Sequence, residues 1–134
     1  MSDLLDLLLK PEVPNVQKKL PVAEYKVKRL SELVGQDVVF KLRALPYGKV
    51  EEIKDSISKD VQVHIVLSGL VEPNPKSKDL ASKFGGETPA ETLKAMLLPG
   101  EIEDLSRAIE KLTGYRMNTI EEVKNGSGTG AMES

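Results

Sequence analysis

The chain has no cysteine and no tryptophan, one histidine, and aromatic residues at only 4% of its 134 positions. Without cysteine there can be no disulfide, no thiolate metal site and no cysteine nucleophile, a pattern that fits a reducing cytoplasm. With so few rings, the core has to be filled by leucine, isoleucine and valine. No apolar run approaches the roughly 20 residues that a membrane-spanning helix needs. Met1-Ser2-Asp3 leads into leucines without a basic region or a cleavage site, so a secretory signal is not expected. Neither sign of charge dominates: 19 Lys and Arg stand against 21 Asp and Glu, for a net charge of -2. The chain therefore exerts no general electrostatic pull on nucleic acid. Its length suits one domain with one modest core.

What is present is a set of clear helix signals in the second half. Thr88-Pro89-Ala90-Glu91 reads as a capping box with proline at the first helical position, followed by an apolar face of Leu93, Met96 and Leu97. Pro99-Gly100 ends that helix and opens another. Glu101, Glu103 and Asp104 fall in its first turn, where the helix dipole favours negative charge. Ile102, Leu105, Ala108, Ile109 and Leu112 then recur at helical spacing up to Gly114, a residue suited to a left-handed cap. Asp79 to Phe84 reads as a short helical turn after the extended Pro73-Asn74-Pro75. Thr119-Ile120-Glu121-Glu122 repeats the capping pattern and predicts a last short helix.

Between Glu24 and Leu45 the period changes to two. Tyr25 and Val27 alternate with Lys26 and Lys28, and Val38, Phe40 and Leu42 alternate with Val39, Lys41 and Arg43. This predicts an antiparallel pair of strands joined through Gly35-Gln36-Asp37, with one face on the helices. The lysines with Arg29 and Arg43 make the segment basic: a solvated face, or a docking site for an acidic or nucleic-acid partner. Val50, Ile53, Ile57 and Val61 then trace a helical face. The next run, Val61 to Leu67, suits either a β-branched strand or a continuing helix, and a break near Ser58-Lys59 is compatible with both.

At the start, Leu4, Leu5, Leu7, Leu8 and Leu9 cover most of a short helix that is marginal alone and must pack on something. That something is either the chain's own core or a partner. Pro11, Pro14 and Pro21 make the following stretch a linker. The organisation expected is a leucine-rich helix over residues 1–10, a proline-containing linker over 11–22 and one globular domain over 23–124. A disordered Gly/Ser-rich tail, natural or vector-derived, then occupies 125–134.

Chemistry is harder to find. His64, among Val63, Ile65 and Val66, could act as a base, but no carboxylate or serine motif points to it, and a core or groove histidine is the better reading. The acidic residues at 101, 103 and 104 are accounted for by the helix start. Nothing matches a phosphate-binding glycine loop or a zinc motif. No residue is put forward as catalytic, cofactor-binding or metal-ligating, and an enzyme is not expected.

Glu72-Pro73-Asn74-Pro75, Asp79-Leu80, Lys83-Phe84-Gly85, Thr88-Pro89-x-Glu91, Leu97-Leu98-Pro99-Gly100-Glu101-Ile102 and Leu112-Thr113-Gly114-Tyr115, in that order and spacing, resemble the XkdN-like tail assembly chaperones of bacteriophages and prophages. The resemblance covers most of the chain. It favours a buried helix through Val61–Leu67 ending near Ser68-Gly69, because the family is helical there. The fold expected is α+β and mainly helical, an N-terminal antiparallel β-hairpin packed on a small helical body. The resemblance implies a protein of the bacterial host cytoplasm that binds the tape-measure protein, and also tail-tube subunits, during tail construction and is absent from the finished particle. It also implies a longer product made by frameshifting near the C-terminus. Leu4, Leu5, Leu7, Leu8 and Leu9 are the candidate partner-binding residues, for a client helix or for self-association. Two other classes stay open: a nucleic-acid-associated adaptor using the basic hairpin, which salt-dependent DNA retention would reveal, and a minor structural tail protein, which would be found in purified particles.

Overall fold

The computed structural model describes residues 3–115 and 117–123. Helix α1 (Asp3–Leu8) precedes a run of turns, and then β1 (Val22–Lys26), α2 (Lys28–Val34) and β2 (Val39–Arg43) follow. Next come α3 (Lys49–Ser56), α4 (Val61–Gly69), β3 (Leu70–Glu72), α5 (Lys78–Phe84), α6 (Pro89–Met96) and α7 (Pro99–Thr113). The architecture is α+β and mainly helical, with one antiparallel sheet in the order β1-β2-β3.

The two strands expected between Glu24 and Leu45 do pair antiparallel, from Val22 opposite Arg43 to Lys26 opposite Val39. Their connection is not a simple turn, however. Strand alternation ends at Lys26, Val27 becomes the extended N-cap of α2, and that helix stops at Gly35, whose φ of 80° is left-handed. Ser31 explains the change. Its buried hydroxyl donates to the Val27 carbonyl (2.8 Å) and accepts from the Val38 N–H (2.8 Å), binding the helix to the entry of β2. Strand β3 went unforeseen because its three residues are too few to show a period. It follows α4 directly and sets Leu70 against Leu42 and Glu72 against Lys41, with a register shift between them.

The ambiguous run from Val61 to Leu67 is helical and ends at Gly69, separated from α3 by a break after Ser56. Helix α4 is apolar on most sides because it is enclosed on most sides: Val63, Ile65 and Val66 are all buried. Helix α7 lies against it with Ile102, Leu105 and Ile109; Phe40 and Leu42 of β2, Leu93 and Met96 of α6, Leu97 at its C-cap, Val50 and Ile53 of α3, and Val27, Leu45 and Leu70 belong to the same core. Leu112 is only half-buried at its margin. At the other end of α7, the Thr113 hydroxyl donates to the Ile109 carbonyl (2.8 Å) and accepts from the Leu45 N–H (3.0 Å), tying the helix to the exit of β2. Gly114 caps α7 with a left-handed φ of 105°.

The expected last helix at Thr119–Glu122 does not form: residues 118–123 have no regular structure and Ile120 and Val123 are almost fully exposed. A single turn with nothing to pack on cannot recover its nucleation cost. The Gly/Ser-rich residues 125–134 lie outside the described residues.

At α6 the cap is present with one change. Thr88 Oγ1 accepts from the Glu91 N–H (3.2 Å), while the Glu91 carboxylate reaches past Thr88 to the Glu87 N–H (3.0 Å). Thr88→Ala is expected to cost about 1 kcal/mol and Thr88→Ser less, measured by urea denaturation. Equal losses would assign the contact to the methyl group instead.

Candidate partner-binding site

Helix α1 contributes no buried residue. Leu4, Leu5, Leu7, Leu8 and Leu9 are 67, 56, 53, 55 and 72% exposed, although the core beneath β2, α4, α6 and α7 is closed without them. Exposed large apolar side chains are normally scattered singly on a surface; five in six consecutive positions are an uncommon concentration. Asp3 and Asp6 in the first turn complement the helix dipole.

Residues 11–21 join α1 to the body through local turns, with Lys18 and Lys19 N–H both donating to the Asn15 carbonyl. Gln17 Oε1 accepts from the Tyr47 N–H (3.2 Å), so the connection touches the loop after β2. There Val16, Leu20, Leu45, Tyr47, Leu112 and Tyr115 line an open cleft of about 490 Å³. Burial, together with a hydrogen bond to Glu51 Oε2 (3.1 Å), raises the Tyr115 phenol above its ordinary range.

A second groove, of about 380 Å³, runs between β1 and α7, floored by Tyr25, Val27, Leu105 and Ala108. Its end is fixed by a junction that sequence patterning did not reveal. Arg29 donates from Nε and Nη2 to the two oxygens of Glu101 (2.9 and 3.0 Å) and from Nη2 to the Met96 carbonyl at the end of α6 (3.0 Å). Glu101 also accepts from the Leu98 N–H (2.8 Å), one half of a capping box whose other half is missing because the N-cap residue, Leu98, has no polar side chain. One fork-shaped ion pair thus joins the start of α2, the end of α6 and the start of α7.

This junction gives a pH signature. The hydrogen bonds from Arg29 hold the Glu101 carboxyl below its usual range, partial burial pushes the other way, and the Leu98 N–H adds to the lowering. The same pairing raises Arg29, which stays charged throughout. Because the folded value of Glu101 is depressed, its contribution is complete above the unfolded value, about 4.3, and is lost as pH falls through the folded one. Thermal melts should therefore show Glu101→Gln losing less stability than the parent on acidification from about pH 5. Parallel losses in the two proteins would remove Glu101 from the account.

The other candidate groups are dispersed. His64 is half-buried at the mouth of a small cleft with Lys49, Glu52, Ile57 and Leu67, a groove position. Among the described residues, no three of His, Asp or Glu are placed to hold a metal ion. The basic character of the hairpin is also broken up: Arg29 is used by Glu101, Lys26 pairs with Asp37 (3.2 Å), and Lys41 sits opposite Glu24 and Glu72. No helix among the described residues is long and apolar enough to cross a membrane.

The crystal structure of the protein yqbn is similar to this chain, with a TM-score of 0.57 and 20% identity over 81% of this chain and 94% of that one. At that identity the likeness concerns the fold alone. No curated protein matches. The model of the phage XkdN-like tail assembly chaperone family matches residues 5–124, a span that holds the leucines from Leu5 onward, the sheet, the Arg29–Glu101 junction and α7 together. The chain belongs to the XkdN-like family of phage tail assembly chaperones.

Proposed function

We propose that this chain keeps the tape-measure protein soluble while a phage tail is built, acting without catalysis in the cytoplasm of the bacterial host and leaving before the particle is complete. The observation that carries the reading is the run of five exposed leucines, four on α1 and Leu9 just after it, presented beside a body whose core is already closed. A tape-measure client offers long amphipathic helices, and an amphipathic helix binds through apolar anchors at such spacings. The cleft between the linker and Tyr115, and the groove between β1 and α7, offer further apolar surface on the same chain. Tail-tube subunits are a second client of the same kind. Nucleic acid is not the partner in this reading, since the basic hairpin is interleaved with Asp37, Glu24 and Glu72.

Co-expression with the tape-measure protein of the same phage tests the proposal. The client is expected to move from the pellet into the soluble fraction and to co-purify with this chain, and purified particles should contain none of it. A client that stays insoluble, or a chain found in the particles, would replace the proposal with a structural or unrelated role.

A further inference from the structure

Among the described residues, strand β1 has a partner on one side only. The Val27 N–H donates to the Val38 carbonyl (2.9 Å) and the Ala44 N–H to the Pro21 carbonyl (2.8 Å). In an antiparallel ladder the bonded pairs alternate, so in this register Ala23 and Tyr25 exchange bonds with Leu42 and Phe40. The backbone N–H and C=O groups of Val22, Glu24 and Lys26 therefore point away from the sheet. No backbone bond among the described residues takes them up. The opposite edge is less available, because β3 has three residues and is followed at once by Pro73, which has no N–H to give.

From this edge we infer that β1 pairs with β1 of a second copy, antiparallel about Tyr25, joining two three-stranded sheets into one. The charge pattern selects that occupant and that register. Centred on Tyr25, each Glu24 lies opposite the Lys26 of the other copy, and both belong to the outward-pointing set, so the two residues exchange backbone bonds as well as charge. Shifting the centre to Glu24 would place two carboxylates face to face, which is unfavourable. Glu24 and Lys26 are exposed and share the solvent face, and the Lys26–Asp37 ion pair is exposed enough (side chains 54 and 70%) to give way. On the other face the two Tyr25 rings meet as a close non-bonded pair above the floor formed by Leu105 and Ala108. An edge lysine ordinarily protects against indiscriminate strand addition; here it restricts addition to a strand that presents a carboxylate opposite it. The interface is isologous and closes at two copies.

Sedimentation of the full chain over a concentration series tests this. A monomer–dimer equilibrium is expected, with Glu24→Lys and Lys26→Glu each weakening it about tenfold. The double exchange Glu24→Lys/Lys26→Glu is expected to restore it, because the opposition of charges is re-created. Glu24→Pro removes an outward N–H without touching the bonds to β2; it should abolish the dimer while leaving the melting curve unchanged at concentrations low enough that the parent is also monomeric. Removal of residues 2–10 should leave the dimer intact. A chain that remains monomeric, a dimer indifferent to positions 24 and 26, or a double exchange that fails to restore pairing would each overturn the inference. A monomer whose client retention is lost on Glu24→Pro would overturn it in favour of an extended client segment at the same edge.

Discussion

Replacing Ile109 by alanine is expected to destabilise the domain by about 2–5 kcal/mol, a large part of the roughly 5–15 kcal/mol of a typical domain. Ile109 is completely buried where α7 crosses α4. The crossing is so close that a Cβ built on Gly69 would lie 2.7, 2.8 and 2.9 Å from Ile109 Cδ1, Cγ2 and Cγ1. These distances give a second expectation with the opposite sign from simple propensity. Glycine to alanine near a helix end normally helps by up to about 1 kcal/mol. Here Gly69→Ala should cost about 1–3 kcal/mol, because a β-branched side chain locked in a packed core cannot step aside. In the Ile109→Ala background all three of those side-chain atoms are gone, and Gly69→Ala should become neutral or favourable. A double-mutant cycle by guanidinium denaturation reads the coupling directly. Additive losses would mean that the two helices separate freely and that α4 and α7 are not the fixed centre of the fold.

That crossing also marks the limit of what could be read in advance. Ile102, Leu105 and Ile109 announced their face by spacing, and the Thr88, Pro89, Pro99 and Gly114 signals placed the ends of α6 and α7, because caps and stripes are local properties of a few consecutive residues. Gly69 was legible as the end of α4 but not as the place where Ile109 needs room, since that requirement exists only after two distant segments meet. Arg29 is the same case. In sequence it belonged to a basic strand; in the fold it starts a helix and is spent on Glu101 and the Met96 carbonyl, 72 and 67 positions away. The helix of α2 was hidden by a short period-two alternation that continued through Lys28, and only the two hydrogen bonds of Ser31 explain why the chain turns there. The Thr119–Glu122 pattern failed for the converse reason: its cap signal was in order, but no surface was available to receive Ile120.

The leucines of α1 posed a choice between the chain's own core and a partner, and their exposure sets the terms of a functional measurement. Each retains more than half of its surface. Covering an exposed leucine completely stabilises by about 1.5–3 kcal/mol, so burying the remainder on a client should contribute roughly 1 kcal/mol apiece after ordering costs. Five together allow a loss of at least about a hundredfold in client affinity when residues 2–10 are removed, since each 1.4 kcal/mol is tenfold. The body should not notice. Its core is complete without α1, and changes at exposed sites away from packed features usually fall within about 0.5 kcal/mol. Serine replacements at Leu4, Leu5 and Leu8 should reproduce most of the loss while leaving chain length and the acidic first turn intact. The two readouts, melting midpoint and retention of a tape-measure fragment on immobilised chaperone, separate the alternatives. If truncation lowers the midpoint sharply, the leucines belong to the chain's own core. If the midpoint holds and retention is unchanged, the client binds elsewhere, and the clefts beside Tyr115 and beside Tyr25 become the surfaces to mutate next. Only a steady midpoint combined with lost retention is consistent with α1 as the client-binding segment.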